Sequence, residues 1–472
     1  VNGRWVLIAA ILGSAMGFID ATAVNVALPV MQRDLHAGAV PLQWVVEGYT
    51  LFLSALILLG GALGDRYGRR RLYMIGIAVF AVASLGCAVA PTIEIVDVAR
   101  ALQGIGGALA VPESLALLSA TFTGEARGRA IGTWSGFASI TSAVGPVLGG
   151  FLAEHASWRW VFLINLPLAV AVLAICWRAV PESSDPAASH RPDVAGALLA
   201  TGGLGALTVA LVGAQIVPVQ ARVWWLLAAA VAALAGFVVV ERRESAPMIP
   251  LHIFRSRAFT GANLYTLFLY MALGGSFYFI PYLLINAQGY QPTAAGAALL
   301  PFVALNFSLA RWSGGLVARI GARTPLIVGA LLVAVAFGAF ARPGLGGSYW
   351  TTYFPAAVLL GLGGACFIAP LTTTVFDTVS STESGIASGI NNAVSRTAGL
   401  LAVAAFGIVL VRVAPGAAQL GLGAPLAYLT GFRAVMACSA AVCLLAALIA
   451  ALTIPGRPGA GPVGRSGSLT AR

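Results

Sequence analysis

Among the ionisable side chains inside long apolar runs of this sequence are Asp20, Glu47, Arg100 and Glu113. A charge among hydrocarbon is costly, so residues of this kind read as functional by default. The chemistry open to a carboxyl group there is reversible protonation. Asp20 lies past the middle of the first run, with Thr22 and Asn25 as alternative, purely structural partners. Glu47 lies early in the second run, near its outer edge. It takes a proton, meets a cationic substrate, or stays as an interfacial carboxylate in water. Arg100 sits about a turn into the fourth run and needs an acid. Asp97, on the same helix face, is one candidate; Asp20 or Glu47 across helices is another. An arginine beside a carboxylate favours its charged form, and moving the arginine away restores proton affinity. That pair would make a switch. Counted by helical rise, Asp20 and Glu47 reach similar depth and could form one acidic patch. Glu113, in the inner half of the fourth run, is a second proton or substrate carboxylate. Asp377 reads as an interfacial cap.

The elements that carry these residues follow from composition. The chain has 472 residues, 59% hydrophobic and only 9% charged, with a mean hydropathy of +0.91. Soluble domains carry roughly 25% charged residues. Apolar stretches of about 20 residues, the length a helix needs to cross the bilayer, follow one another with short polar breaks. Only helices or closed barrels satisfy their backbone in lipid, and these runs are too long for barrel strands. The chain is therefore expected to be an all-α membrane protein. The net charge is +11, and with no lysine present the basic residues other than histidine are all arginine. They gather in short loops as the positive-inside pattern requires, which argues against nucleic acid as a partner. Cys87, Cys176, Cys366, Cys438 and Cys443 fall inside apolar runs without metal-ligand spacing. No phosphate-cradling loop with its lysine is present, no histidine pair has zinc spacing, and no soluble active-site domain is visible. An enzyme is not expected, and neither is a cofactor.

About fourteen spans are expected, near 5–28, 43–63, 72–91, 95–119, 129–153, 158–179, 194–216, 222–241, 259–285, 293–316, 324–341, 351–375, 388–412 and 429–453. Val1 stands where an initiator Met is expected, and the first run is too long for a cleaved signal. Arg66, Arg69, Arg70, Arg71, Arg127, Arg129, Arg178, Arg191, Arg242, Arg243, Arg255, Arg257, Arg319 and Arg323 crowd one set of loops. The other set holds few, such as Arg33, Arg159, Arg222 and Arg342. The crowded side, and both termini, are placed in the cytoplasm. The run from Gly61 to Arg71 (GALGDRYGRRR) is echoed from Gly314 to Arg323 (GGLVARIGAR), each after the second span of a six-span block. This gives a six-helix bundle over 1–180, a linker and two inserted helices over 181–257, a second bundle over 258–455 and a disordered tail over 456–472. Paired bundles of this kind hold substrate between them.

Within the loop motif, Gly61 and Gly68 let helices approach. Asp65 caps a helix or pairs with Arg66 or Arg69, latching one conformation. The second copy carries Ala318 in place of Asp65. Gly132, Gly136, Gly145 and Gly149 leave a groove for a neighbouring helix, and Pro146 can bend the fifth span. Asn25, Gln103, Asn391, Asn392 and Arg396 are candidate linings of a substrate cavity, or bonds between helices. Tyr265, Tyr270, Phe277, Tyr278 and Tyr282 offer aromatic faces to a flat or cationic substrate, or simply pack.

These motifs together resemble the fourteen-span drug:proton antiporter branch of the major facilitator superfamily. The Gly61–Arg71 loop is similar to the superfamily's signature between helices two and three. The run from Asp20 to Pro29 (DATAVNVALP) resembles the branch's first-helix motif, and Arg100 to Gly107 (RALQGIGG) its fourth-helix motif. Gly145-Pro146 through Gly149-Gly150 resembles the antiporter motif of the fifth helix, and Trp158 to Pro167 (WRWVFLINLP) is also similar. The resemblance covers nearly the whole chain. It implies two six-helix bundles plus two inserted helices, alternating access, a role for Arg100 in proton transfer, and export driven by proton entry across the plasma membrane. The expected function is a proton-coupled exporter of drugs or other amphipathic, often cationic, small molecules, working as a monomer. An exporter of one endogenous metabolite, or a non-transporting sensor, are the alternatives.

Overall fold

The computed structural model describes residues 3–184, 193–216, 219–244, 247–379, 384–414 and 425–456. Among them, fourteen helices are long and apolar enough to cross a bilayer. The first six spans are α1 (Gly3–Asp34), α2 (Ala39–Tyr67), α3 (Arg69–Val89), α4 (Ile93–Thr121), α5 (Gly124–His155) and the pair α6 (Trp160–Leu163) and α7 (Asn165–Ala179). Two further helices, α8 (Val194–Gly213) and α9 (Ala221–Arg243), form a hairpin. The last six spans begin with α10 (Arg257–Asn286) and the pair α11 (Pro292–Ala297) and α12 (Leu300–Ile320). They continue with α13 (Arg323–Phe340), the pair α14 (Tyr349–Thr352) and α15 (Phe354–Asp377), α16 (Ser384–Val413) and α17 (Pro425–Thr453). Spans expected to be continuous at 293–316 and 351–375 are broken near their N-terminal ends. Pro301 and Pro355 stand in the first turn of α12 and α15, where a missing N–H costs nothing.

In the first bundle α4 packs on α2 and α3, while α1 packs on α5 and α7. In the second, α10 packs on α16 and α17, and α13 on α15 and α17. Aromatic hydroxyls tie neighbouring helices together: Tyr73 donates to Ala9 O of α1 (2.7 Å) and Tyr265 to Leu326 O of α13 (2.8 Å). Tyr265 is therefore a packing residue and does not face a substrate. The inserted α8 lies against both α2 and α16, and Gln215 beyond its end donates to Ala404 O of α16 at 3.2 Å. The linker residues 185–192, the tail 457–472 and the side chains of the second loop copy at Arg319 and Ala318 lie outside the described residues.

The two bundles meet closely at the end remote from the Gly61–Arg71 loop, called here the far end. Arg33 donates to Asn286 at 3.1 Å, Tyr282 bonds Gln32, and Thr293 N donates to Glu154 at 3.0 Å. Small residues allow this. A Cβ at Gly150 would run into the Pro292 backbone and one at Gly296 into the Pro146 backbone, while Gly149 packs on Ala23 of α1 within the first bundle. Gly145 meets Thr22 of α1. Among the described residues nothing stands within 4 Å of a Cβ at Gly132 or Gly136, so no described side chain fills the groove read there.

The far-end seam yields a prediction. Gly150→Leu puts a side chain against backbone that cannot yield, so the far end should stay open. Spin labels at Ala156 and Gly289, in a cysteine-free background, should report a longer separation in the variant than in the parent. An unchanged distance would rule out this glycine as a closing contact.

Candidate functional site

Five helices converge on one buried carboxylate. Asp20 of α1 and Arg100 of α4 are both almost completely buried and form an ion pair, Nη1 to Oδ2, at 2.5 Å. Gln103, one turn along α4, donates from Nε2 to Asp20 Oδ1 (2.9 Å) and to Ser84 Oγ of α3 (2.8 Å). Its own Oε1 accepts from Arg100 Nη1 at 2.6 Å. Asn165, at the start of α7, donates to Asp20 Oδ1 (3.4 Å) and Ser84 Oγ (3.3 Å). Arg100 Nε donates to the Val45 carbonyl of α2 at 2.7 Å. Its guanidinium lies 4.3 Å from the Tyr49 ring centroid and 5.8 Å from that of Phe162. The partners of Asp20 among the described residues are all donors, an arrangement suited to a carboxylate ion. The arginine's charge is spread over an acid, a carbonyl, an amide and two aromatic faces.

The acid for Arg100 is therefore Asp20. Asp97 is not the partner, and its Oδ1 has no hydrogen bond. Nor is Asp20 held by its own helix neighbours. Thr22 donates to Phe18 O and Ile19 O, and Asn25 to Ala21 O. Glu47 does not join Asp20 in an acidic patch. It is fully buried and neither carboxyl oxygen has a partner among the described residues. It stands one turn from Gln43, whose amide approaches Gly407 of α16, and within electrostatic reach of Tyr278 of α10. Glu47 thus lies in the seam between the bundles.

Glu113 is also buried with both oxygens unpartnered. It lies against the loop motif, where a Cβ at Gly64 would fall 2.1 Å from its Oε1. Asp65 accepts from Arg69 Nε (2.9 Å) and Nη2 (2.7 Å) across the turn at Gly68, whose φ of 109° suits glycine. Arg66 leans over the Tyr67 ring. Glu182, which sequence reasoning passed over, accepts from the backbone N–H groups of Arg70 and Arg71 at the start of α3. A carboxylate suits a helix N-terminus.

In the second bundle Asn391 donates to Thr266 Oγ1 (2.8 Å) and Asn263 Oδ1 (3.2 Å) of α10, so it bonds helices together. Asn392 and Arg396 are half-buried. Tyr278 and Tyr282 are buried near the far end, while Tyr270 and Phe277 keep part of their rings exposed. Asp377 is simply the exposed last residue of α15. Among the described residues no cluster of three metal-ligating side chains occurs.

Comparison with known proteins places this architecture. The model of the Major Facilitator Superfamily matches residues 10–403. The multidrug resistance protein Stp of Mycobacterium tuberculosis is 37% identical over 86% of this chain and 75% of its own length. The puromycin resistance protein pur8 of Streptomyces alboniger is 35% identical over 99% of this chain and 94% of its own. The tetracenomycin C resistance and export protein of Streptomyces glaucescens is 33% identical over 86% and 75%. Among solved structures, the POT family transporter PepTSo superposes with a TM-score of 0.68 at 16% identity, covering 96% of this chain and 98% of that one. The D-xylose-proton symporter gives 0.66 at 16%, with the same coverage, and these two likenesses speak for the fold alone. The paired bundles, the arginine–carboxylate centre and the family match over most of the length agree: this multi-pass membrane chain belongs to the Major Facilitator Superfamily and is a transporter of small molecules.

Proposed function

We propose that this protein exports amphipathic small molecules, antibiotics among them, in exchange for protons entering down their gradient. The observation that carries the reading is the fully buried Asp20–Arg100 pair. An ion pair in a low-dielectric interior is poised, because removing or neutralising one partner leaves the other uncompensated. A proton arriving at Asp20 frees Arg100. The new O–H then needs an acceptor, and Asn165 Oδ1, buried without a partner beside it, supplies one when the amide turns. Proton uptake is thereby tied to a rearrangement across α1, α4 and α7.

Glu47 gives the direction. Closing the far end buries its carboxyl group with no hydrogen-bond partner. A charged, unpaired carboxylate there costs several kcal/mol, so the closed seam suits the neutral acid. With the arginine-rich loops in the cytoplasm, the far end faces outside. External protons then load Glu47 and permit closure, which returns the passage to the inside for the next cargo. In this reading the chain sits in the plasma membrane with both termini inside and acts as a monomer. Glu113 against Gly64 couples a second acid to the Asp65–Arg69 latch. The resistance names of the relatives support antibiotic export.

Dye efflux from cells expressing the protein tests this. An uncoupler should stop efflux, and Asp20→Asn should lower it by at least tenfold with the protein still in the membrane. Uncoupler-resistant efflux would remove the proton drive. Arg100→Met alone leaves Asp20 uncompensated and should cost about 3–5 kcal/mol of stability. Adding Asp20→Asn should restore most of it, measured as detergent-solubilised Tm. Asn165→Leu removes two donors from the layer behind Asp20, so Tm should fall modestly, while proton-coupled flux slows severalfold per folded transporter, as pH changes inside everted vesicles report. Equal flux would show that Asn165 takes no part.

A further inference from the structure

Arg396 is the group the export reading leaves unused. It stands in the middle of α16, twelve residues from Ser384 and seventeen from Val413, which is roughly 18 Å and 26 Å of helix. That places it near the bilayer centre. The second bundle carries just two acids, Asp377 and Glu383. Asp377 ends α15, and Glu383 precedes the first residue of α16. Among the described residues Arg396 has no hydrogen bond and no ion pair. Arg100, by contrast, has its donors engaged on all sides.

The helix faces show where Arg396 looks. At about 100° per residue, Gly389, Arg396 and Gly407 form one stripe. Gly389 meets Leu58 of α2, and Gly407 meets Gln43 of α2 and Gln215 beyond α8. Asn391, on another face, bonds α10. Asn392 and Gly399 fall in the sector between the α2 and α10 faces, on the same side as Arg396. The Gly399 backbone packs on Gly274 of α10, but a Cβ at Gly399 would meet no described atom within 4 Å, so the open direction lies beside the α10 contact. Since α2 and α10 belong to different bundles, the space between them is the passage and not the lipid. Tyr49 and Tyr270 lie within electrostatic reach of Arg396, one on each bundle. The Asn392 side chain, one turn from Arg396, has no hydrogen bond among the described residues.

We propose that Arg396 and Asn392 form an anion-recognition site in the passage, which takes an ionised carboxyl group, or a comparably acidic oxygen, of the exported molecule. A guanidinium has five donors and no acceptor, and its fork matches a carboxylate. Asn392 adds an amide donor one turn away. An arginine at this depth without an acid is an uncompensated charge, which a bound anion neutralises and a cationic cargo does not. Tyr270 of α10, whose ring is partly exposed, offers an aromatic face to the flat body of the cargo. The site rests on the export reading and narrows its cargo: amphipathic acids and zwitterions in place of plain cations.

Two rhodamine dyes test it, one with a free carboxylate and one its methyl ester. Flux into everted vesicles is normalised to the amount of transporter in the membrane. The parent should move both dyes, the carboxylate dye faster. Arg396→Gln should lower carboxylate-dye flux at least tenfold and ester flux less than twofold, with Arg396→Lys between. Asn392→Asp, which sets a negative charge beside the site, should depress the carboxylate dye alone. Should Arg396→Gln fail to accumulate, the lysine and Asn392→Asp variants decide. No preference for the carboxylate dye in the parent, or equal losses on both dyes in the variants, overturns the site. Uncoupler sensitivity of ester flux is read in the same vesicles, so loss of the proton drive and loss of the anion site are distinguishable.

Discussion

A guanidinium keeps its proton under any condition a cell offers, so an arginine placed within hydrocarbon must be met by the rest of the chain. Arg100 imposes that demand, and much of the first bundle answers it. Asp20 supplies the opposite charge, Val45 a carbonyl, Gln103 an amide, and Tyr49 and Phe162 their rings. Ser84 and Asn165 complete the layer behind the carboxylate. These groups are spread over α1, α2, α3, α4, α6 and α7, so satisfying one cation fixes the mutual register of those helices. The same interaction that specifies the packing is the one a proton disrupts.

The seam between the bundles is built on another logic. There the contacts are short bonds at the far end and glycines that let backbones touch, with few buried charges. Such a surface separates and re-forms at modest cost, whereas the Asp20 centre would not survive being pulled apart. Tyr49 lies between the two regimes. Its ring receives Arg100 on one side, and Arg396 of the other bundle is within its reach. Changes at the carboxylate and changes in the passage thus share one aromatic wall.

Much of this was legible from residue order. Runs of apolar residues are set by the width of the bilayer, so the helices announce themselves. Asp20 and Arg100 were visible because charge in an apolar run has few innocent explanations. Their pairing was not, because Asp97 is nearer in sequence and helical spacing favours it; only the approach of α1 to α4 decides between them. Asn165 and Ser84 are neutral and small, and leave no mark on hydropathy. Asn165 was quoted within a motif without a role, and its free carbonyl oxygen appears only when its neighbours are in place. Glu182 looked like a linker residue, since its target, the start of α3, is more than a hundred positions away. Gly132 and Gly136 show the opposite error: spacing suggested a groove, and spacing alone cannot say whether anything occupies it.

The inserted hairpin makes the two flanks of the transporter unequal. α8 rests on α2 and α16 together, and α9 rests on α8. On that flank two helices stand between the acyl chains and the crevice. On the other flank, where α5 faces α11 and α12, the bundles border the bilayer without such a screen. The bilayer therefore meets the inserted hairpin on one flank and the bare contact of α5 with α11 and α12 on the other.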